Sequence, residues 1–448
     1  MLHADNDYGK SIQNRRNSGN SASYSQLRGA VERSSRKLTE IMSNDTISIE
    51  SVGCVTYGIA KKEREERIGG WSSLSNRYEE LDSIRGLAAL IVVFCHLFAV
   101  TDMYAWANFI KNTPFFMSHQ AVMMFFVLSG FVLSLPFLQG KSQSYGSYAV
   151  RRICRIYIPY LVTLLLAILM RELFSQGGIA GLTDWFNRLW VTPLSWELVA
   201  QHVLFIGGYD TDAFNPVIWS LVHEMRISLI FPLLMILVVR YDWKIALSAG
   251  FALSCVGSLL HMKFAMGKID MNYFMSVHYA FMFIIGACLA KYRDRLIGLY
   301  RNSRSIHKLI ALAIGAACYT YSLWFLPDVE ALHVRTLEEW TACIGVSVFI
   351  IAALGSTRIS SVLRIGAISW IGRISYSLYL VHFTVLFTLM YALYGVVPVW
   401  SIWLVTLIVS IAAASLSYLW IEVPSIRLGR SLTRPRIAAS PERPKLTP

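Results

Sequence analysis

The chain has 448 residues, 55% of them hydrophobic and only 15% charged. An ordinary soluble domain carries about a quarter charged residues, so this composition excludes one and predicts an all-α polytopic membrane bundle. The net charge of +13 would suit a nucleic-acid binder, but the basic residues sit in short clusters between apolar runs, as topology signals do, and no nucleic-acid partner is expected. The seven cysteines lie mostly inside apolar runs without a C-x-x-C, which predicts neither a disulfide framework nor a zinc site.

Residues 1–77 are rich in Ser, Asn, Arg and Glu without a sustained apolar period, and read as a mostly disordered tail. The first apolar run begins some 80 residues in, so the first span itself directs insertion. A membrane domain is expected over 78–430 and a short polar tail over 431–448. About ten transmembrane helices are predicted: 83–101, 118–138, 154–171, 216–239, 243–261, 272–290, 308–326, 338–354, 374–394 and 399–421. The long connection 172–215 holds Trp185, Phe186, Trp190, Trp196, Phe205 and Tyr209, an aromatic content suited to an interface. One set of alternate loops carries fifteen Lys and Arg, the other six. The positive-inside rule then places both termini in the cytoplasm.

The first span opens at Leu81-Asp82-Ser83-Ile84-Arg85-Gly86-Leu87-Ala88-Ala89 and reaches His96. Arg85 and His96 are eleven positions apart, close to three whole turns, so they share one helix face. The rise of about 1.5 Å per residue sets His96 roughly 16 Å deeper, near mid-membrane. An ionisable group at that depth is either functional or a neutral histidine bonded between helices. The inner end of the third span carries Arg152 and Arg155, three apart and therefore neighbours. Side-by-side guanidiniums suit phosphate, although basic residues at this boundary also follow from topology or anionic lipid.

The fourth span holds His223, Glu224 and Arg226 at nearly the level of His96, so this helix should face protein or water. In the ninth, Ser375, Tyr379 and His382 fall at i, i+4 and i+7 and form one polar stripe, for a site or for interhelical hydrogen bonds. No phosphate-binding G-x-x-x-x-G-K-[ST] and no H-E-x-x-H is present; no metal centre and no bound cofactor are expected.

In this order the motifs resemble the acyltransferase-3 family of integral membrane acyltransferases, which includes O-antigen and exopolysaccharide O-acetylases. The resemblance covers about residues 78–430. It rests on the Arg85–His96 segment, Phe125-Phe126-Val127-Leu128-Ser129-Gly130-Phe131, Arg152-x-x-Arg155, Trp219-Ser220-Leu221-x-x-Glu224, Ser375-Tyr376-Ser377-Leu378-Tyr379-Leu380-Val381-His382 and Glu422-Val423-Pro424. It departs after Glu224, where the family often has a polar residue and an aromatic pair and this chain has Arg226-Ile227-Ser228.

The resemblance implies transfer of an acyl group, usually acetyl, from cytoplasmic acyl-CoA to a hydroxyl of a cell-surface or exported carbohydrate or glycolipid. It also implies a multi-pass protein of a bacterial inner membrane. His96 would be the general base, with Glu224, at similar depth, orienting its imidazole. Arg85, Arg152 and Arg155 would hold the CoA phosphates, and His223, Ser375, Tyr379 and His382 remain further site candidates. Some members carry an added esterase-like domain, for which the residues up to Pro448 leave no room. The alternative class is a transporter or flippase of a lipid-linked sugar, which also needs mid-membrane polar groups but no CoA.

Overall fold

A computed structural model describes residues 78–102, 113, 117–140, 144–205, 207–265, 272–324 and 336–434. The expected tail over 1–77, and the chain beyond 434, lie outside the described residues. Among the described residues the regular structure is helical, with no strand. The helices in chain order are α1 (Glu79–Ala99), α2 (Ser118–Leu138), α3 (Tyr145–Phe174), α4 (Asp184–Asn187), α5 (Trp196–Leu204), α6 (Ile218–Arg240), α7 (Trp243–Phe264) and α8 (Tyr273–Lys291). They continue as α9 (Arg293–Asn302), α10 (Ser305–Tyr319), α11 (Tyr321–Trp324), α12 (Glu338–Gly355), α13 (Thr357–Leu363), α14 (Gly366–Leu393), α15 (Val399–Ser417) and α16 (Val423–Leu432).

Among the described residues, nine helical stretches are long and apolar enough to cross a membrane: α1, α2, α3, α6, α7, α8, α12, α14 and the run Val399–Leu432. The span expected at 308–326 falls on α10 and α11, separated by a turn at Thr320, with residues 325–326 outside the described residues. At about 1.5 Å per residue, α10 alone reaches roughly 22 Å, short of a hydrocarbon core about 30 Å thick. The expectation of about ten spans thus becomes nine full-length helices and one shorter apolar one among the described residues.

The helix α3 begins nine residues before its apolar run, because Ser144 caps it by accepting from Ser147 N at 3.3 Å. Its first turns are polar, so hydropathy misses them, yet they place Arg151, Arg152 and Arg155 on a helix. Leu165, Leu169 and Leu173 are exposed along the opposite end of α3 at four-residue spacing, a stripe suited to lipid.

Two glycine contacts set the spacing of the bundle. A Cβ added at Gly86 of α1 would sit 2.6 Å from the Gly372 backbone nitrogen of α14. The reciprocal Cβ at Gly372 would sit 2.6 Å from the Asp82 carbonyl. The two backbones therefore touch, as small residues permit in membrane helices. Gly130 of α2 and Gly286 of α8 make the same kind of contact with each other's helices. The segment between α3 and α6 is tied down at several points. Thr183 Oγ1 donates to Ala99 O at the end of α1 (2.7 Å), and Trp190 Nε1 donates to Phe214 O (2.8 Å). Phe186 stacks on Phe387 of α14 with ring centres 4.4 Å apart. After α15, a π-helical turn at Tyr418–Glu422 buries Glu422, whose carboxylate accepts from Ser377 Oγ of α14 at 2.8 Å.

Candidate active site

Five helices surround one cavity. α1 contributes Arg85, α2 contributes Phe125 and Ser129, α3 contributes Arg152 and Arg155, α6 contributes Ser220 and Glu224, and α14 contributes Ser375, Tyr376 and Tyr379. Counted out to its open mouth, the space between these helices is about 700 Å³. Three guanidiniums and one carboxylate line it, so it favours an anion.

The charged groups are braced from several helices. Glu224 Oε1 accepts from Ser129 Oγ at 3.0 Å and from Arg152 Nη2 at 3.1 Å. Arg152 Nη2 also donates to Ser228 Oγ at 2.9 Å, one turn along α6, while its Nε is buried without a partner. Arg85 Nη1 donates to Asp82 Oδ1 at 3.3 Å within α1. Arg155 is exposed, so it stands at the rim. Deeper in, Tyr379 OH lies 2.8 Å from Ser220 Oγ and 3.1 Å from Val217 O. Its ring meets Phe125 edge-on at 5.4 Å.

Beyond Tyr379, one turn further along α14, lies His382. Its Nε2 is 2.9 Å from His96 Nδ1, and its own Nδ1 is 3.0 Å from Leu378 O. The ring centres are 5.2 Å apart with only 9° between planes. That separation is the nitrogen–nitrogen distance plus the two ring radii, so the rings lie edge to edge with the hydrogen bond in their plane. Trp185 lies 5.6 Å from the His96 ring at 20°, and Phe383 meets it edge-on at 6.1 Å. Trp185 is held there by Thr183, which bonds to the end of α1 and caps α4 by accepting from Phe186 N at 3.3 Å. His382 is fully buried, and His96 is half-buried.

The structure brings Arg85, Arg152, Arg155, Glu224, Ser375 and Tyr379 into one cavity, with His96 and His382 paired just past it. It corrects the partner expected for His96. Depth alone suggested Glu224, but that carboxylate bonds Ser129 and Arg152, and the imidazole bonds His382. His223, beside Glu224 in sequence, points to a different neighbour: its Nδ1 is 2.8 Å from Ser276 Oγ of α8, and it is fully buried. Ser375 donates to Gly372 O of its own helix at 2.9 Å.

Sequence reasoning missed a second buried cluster. Glu339, at the head of α12, accepts from His278 Nε2 (2.6 Å), His119 Nε2 (2.7 Å) and Tyr279 OH (3.0 Å). His278 Nδ1 lies 2.7 Å from Ser258 Oγ. The available signal was the Glu338-Glu339 pair opening an apolar run, where two carboxylates demand partners.

Among the described residues the protein is thus an all-helical membrane bundle that encloses a cavity lined by three arginines, beside the paired His96 and His382. Residues 78–419 match the model of the Acyltransferase domain family, the acyltransferase-3 family, and the chain belongs to it. It is a membrane acyltransferase. It is similar to Nodulation protein 10 of Rhizobium leguminosarum bv. viciae, 24% identical over 381 residues that cover 82% of this chain and 98% of that protein. It is also similar to the peptidoglycan O-acetyltransferase OatA of Listeria monocytogenes serovar 1/2a, 22% identical over 357 residues that cover 77% of this chain and 55% of that protein. No solved structure matches.

Proposed function

We propose that this O-acyltransferase moves an acetyl group from acetyl-CoA, bound at the Arg85 end of the cavity, to a hydroxyl of a cell-surface or exported carbohydrate. The observation that carries the reading is His96: an imidazole with an unoccupied Nε2, bonded to His382, whose ring lies 6.1 Å from that of Tyr379 in the wall of a cavity lined by three arginines. Arg155 at the rim and Arg85 and Arg152 within suit the CoA phosphates. The relatives' names support the chemistry, since one is an O-acetyltransferase of a glycan polymer. Both relatives are bacterial, and with α10 counted as the tenth crossing the excess of basic residues in one set of loops supports an inner-membrane protein with its Arg85 end and both termini in the cytoplasm.

In this reading His96 Nε2 takes the proton of the acceptor hydroxyl as its oxygen attacks the thioester carbonyl carbon. The carbon–sulfur bond breaks, and the proton passes from His96 to the departing thiolate, so the products are an ester and free CoA. The Arg152-bound Glu224 holds the arginine in place.

The test uses sealed membrane vesicles that contain the native acceptor and radiolabelled acetyl-CoA added outside. Label should enter glycan in inside-out vesicles and not in right-side-out ones. His96→Ala should lower single-turnover incorporation by about 10²–10⁴-fold, the usual worth of general-base assistance. Equal incorporation in both vesicle orientations would overturn the cytoplasmic donor site, and wild-type turnover in His96→Ala would overturn the role of His96.

A further inference from the structure

The hydrogen bonds around His382 decide where the protons of the histidine pair sit. Leu378 O is a carbonyl and can only accept, so the 3.0 Å bond requires the proton on His382 Nδ1. In the neutral ring, Nε2 is then the lone-paired nitrogen. The 2.9 Å bond between the rings must therefore be donated by His96 Nδ1. That leaves His96 Nε2 without a proton. It has no protein partner, and it is not one of the sealed, unpartnered nitrogen and oxygen atoms among the described residues. A backbone carbonyl of α14 thus sets the tautomer of a side chain on α1, through one intervening imidazole.

We propose that His382 is the positioning residue of the reaction. It holds His96 in the one tautomer whose Nε2 can take a hydroxyl proton, and it stabilises the imidazolium that forms by accepting from its Nδ1–H. This rests on the reading of His96 as the base. The arrangement does the work of the carboxylate in a Ser-His-Asp triad with a neutral group, which suits a half-buried site where an extra charge is costly. The other groups in ring contact with His96 are Trp185 and Phe383, and neither offers an acceptor to Nδ1. The Gly86–Gly372 contact, one helix pair carrying both histidines, gives the bond its short reach.

Two substitutions at His382 separate positioning from mere packing. Gln places an amide oxygen near the former Nε2 and can still accept from His96. Met fills similar space and accepts poorly. His382→Met should lower turnover at least about 10- to 100-fold, the effect of losing the partner that orients a metal-bound histidine, with KM for acetyl-CoA unchanged. His382→Gln should recover most of that loss. In the background of His96→Ala, His382→Met should cost nothing further, because the two act as one unit.

Each variant is assayed in inside-out vesicles, per folded protein counted by fluorescence size-exclusion. If His96→Ala is inactive and His382→Met turns over like wild type, the positioning role is wrong and the base stands. If His96→Ala itself keeps wild-type turnover, the reading beneath it fails instead. Equal loss in the Gln and Met variants, with both folded, would also overturn the proposal, since the acceptor atom would then be irrelevant.

Discussion

Gly86→Ala tests how far the site depends on helix spacing. The added Cβ would lie 2.6 Å from Gly372 N, 2.8 Å from Gly372 Cα and 2.9 Å from Ile371 C. All three are backbone atoms, so no side chain can swing aside. Raising 2.6 Å to the 3.4 Å of ordinary contact moves α1 off α14 by about 0.8 Å. The same shift carried along α1 would stretch the 2.9 Å bond between His96 and His382 to about 3.7 Å, outside hydrogen-bond range. Overpacking of this kind costs about 1–3 kcal/mol, so the protein should still fold with a lowered melting temperature. Turnover per folded molecule should fall about 10- to 100-fold, the effect of losing the partner that orients a metal-bound histidine. Gly298→Ala on α9 is the control, because its Cβ would meet open space. Acetyl incorporation in inside-out vesicles, normalised to folded protein, reads the effect. A Gly86→Ala protein with wild-type turnover and melting temperature would show that the helix contact does not govern the histidine pair.

Two further outcomes follow from the same geometry. Arg155→Ala should raise KM for acetyl-CoA with little effect on protein level, whereas Arg152→Ala should also lower stability by stranding Glu224; lysine should rescue either only in part, for want of the planar fork. Donor kinetics unchanged in the double alanine variant would return these arginines to topology or lipid contact. At the second cluster, Glu339→Ala should destabilise by about 3–5 kcal/mol, because it leaves buried His278 and Tyr279 without their acceptor, yet leave turnover per folded protein unchanged. Thermal unfolding in detergent checks it, and an unshifted melting temperature would mean the cluster is not structural.

Much of this architecture follows from the order of residues alone. Apolar runs of membrane length named the spans, because a hydrocarbon core accepts little else. The eleven-residue spacing placed Arg85 and His96 on one face of α1, since helical period is local. The same period aligned Ser375, Tyr379 and His382 on α14, and the structure puts the first two in the cavity wall and the third just past it. Hydropathy was weaker at the polar first turns of α3 and at α10, where the apolar signal does not coincide with the helix.

Only the tertiary structure decided which groups meet. Sequence and topology give a residue's depth, one coordinate along the membrane normal. They leave open how each helix is turned about its axis and which helices are neighbours. Counting along the spans sets His96 and Glu224 at similar depths, and that suggested them as partners. The glycine contact between α1 and α14 instead sets His96 against His382, 286 residues away, while Ser129 and Arg152 claim Glu224. Trp185 reached His96 because Thr183 bonds the end of α1 through both its hydroxyl and its backbone N–H, contacts with no periodicity to announce them. Helical period is a property of consecutive residues, whereas the partner of a buried side chain is a property of the close contacts between helices, and those depend on every interface at once.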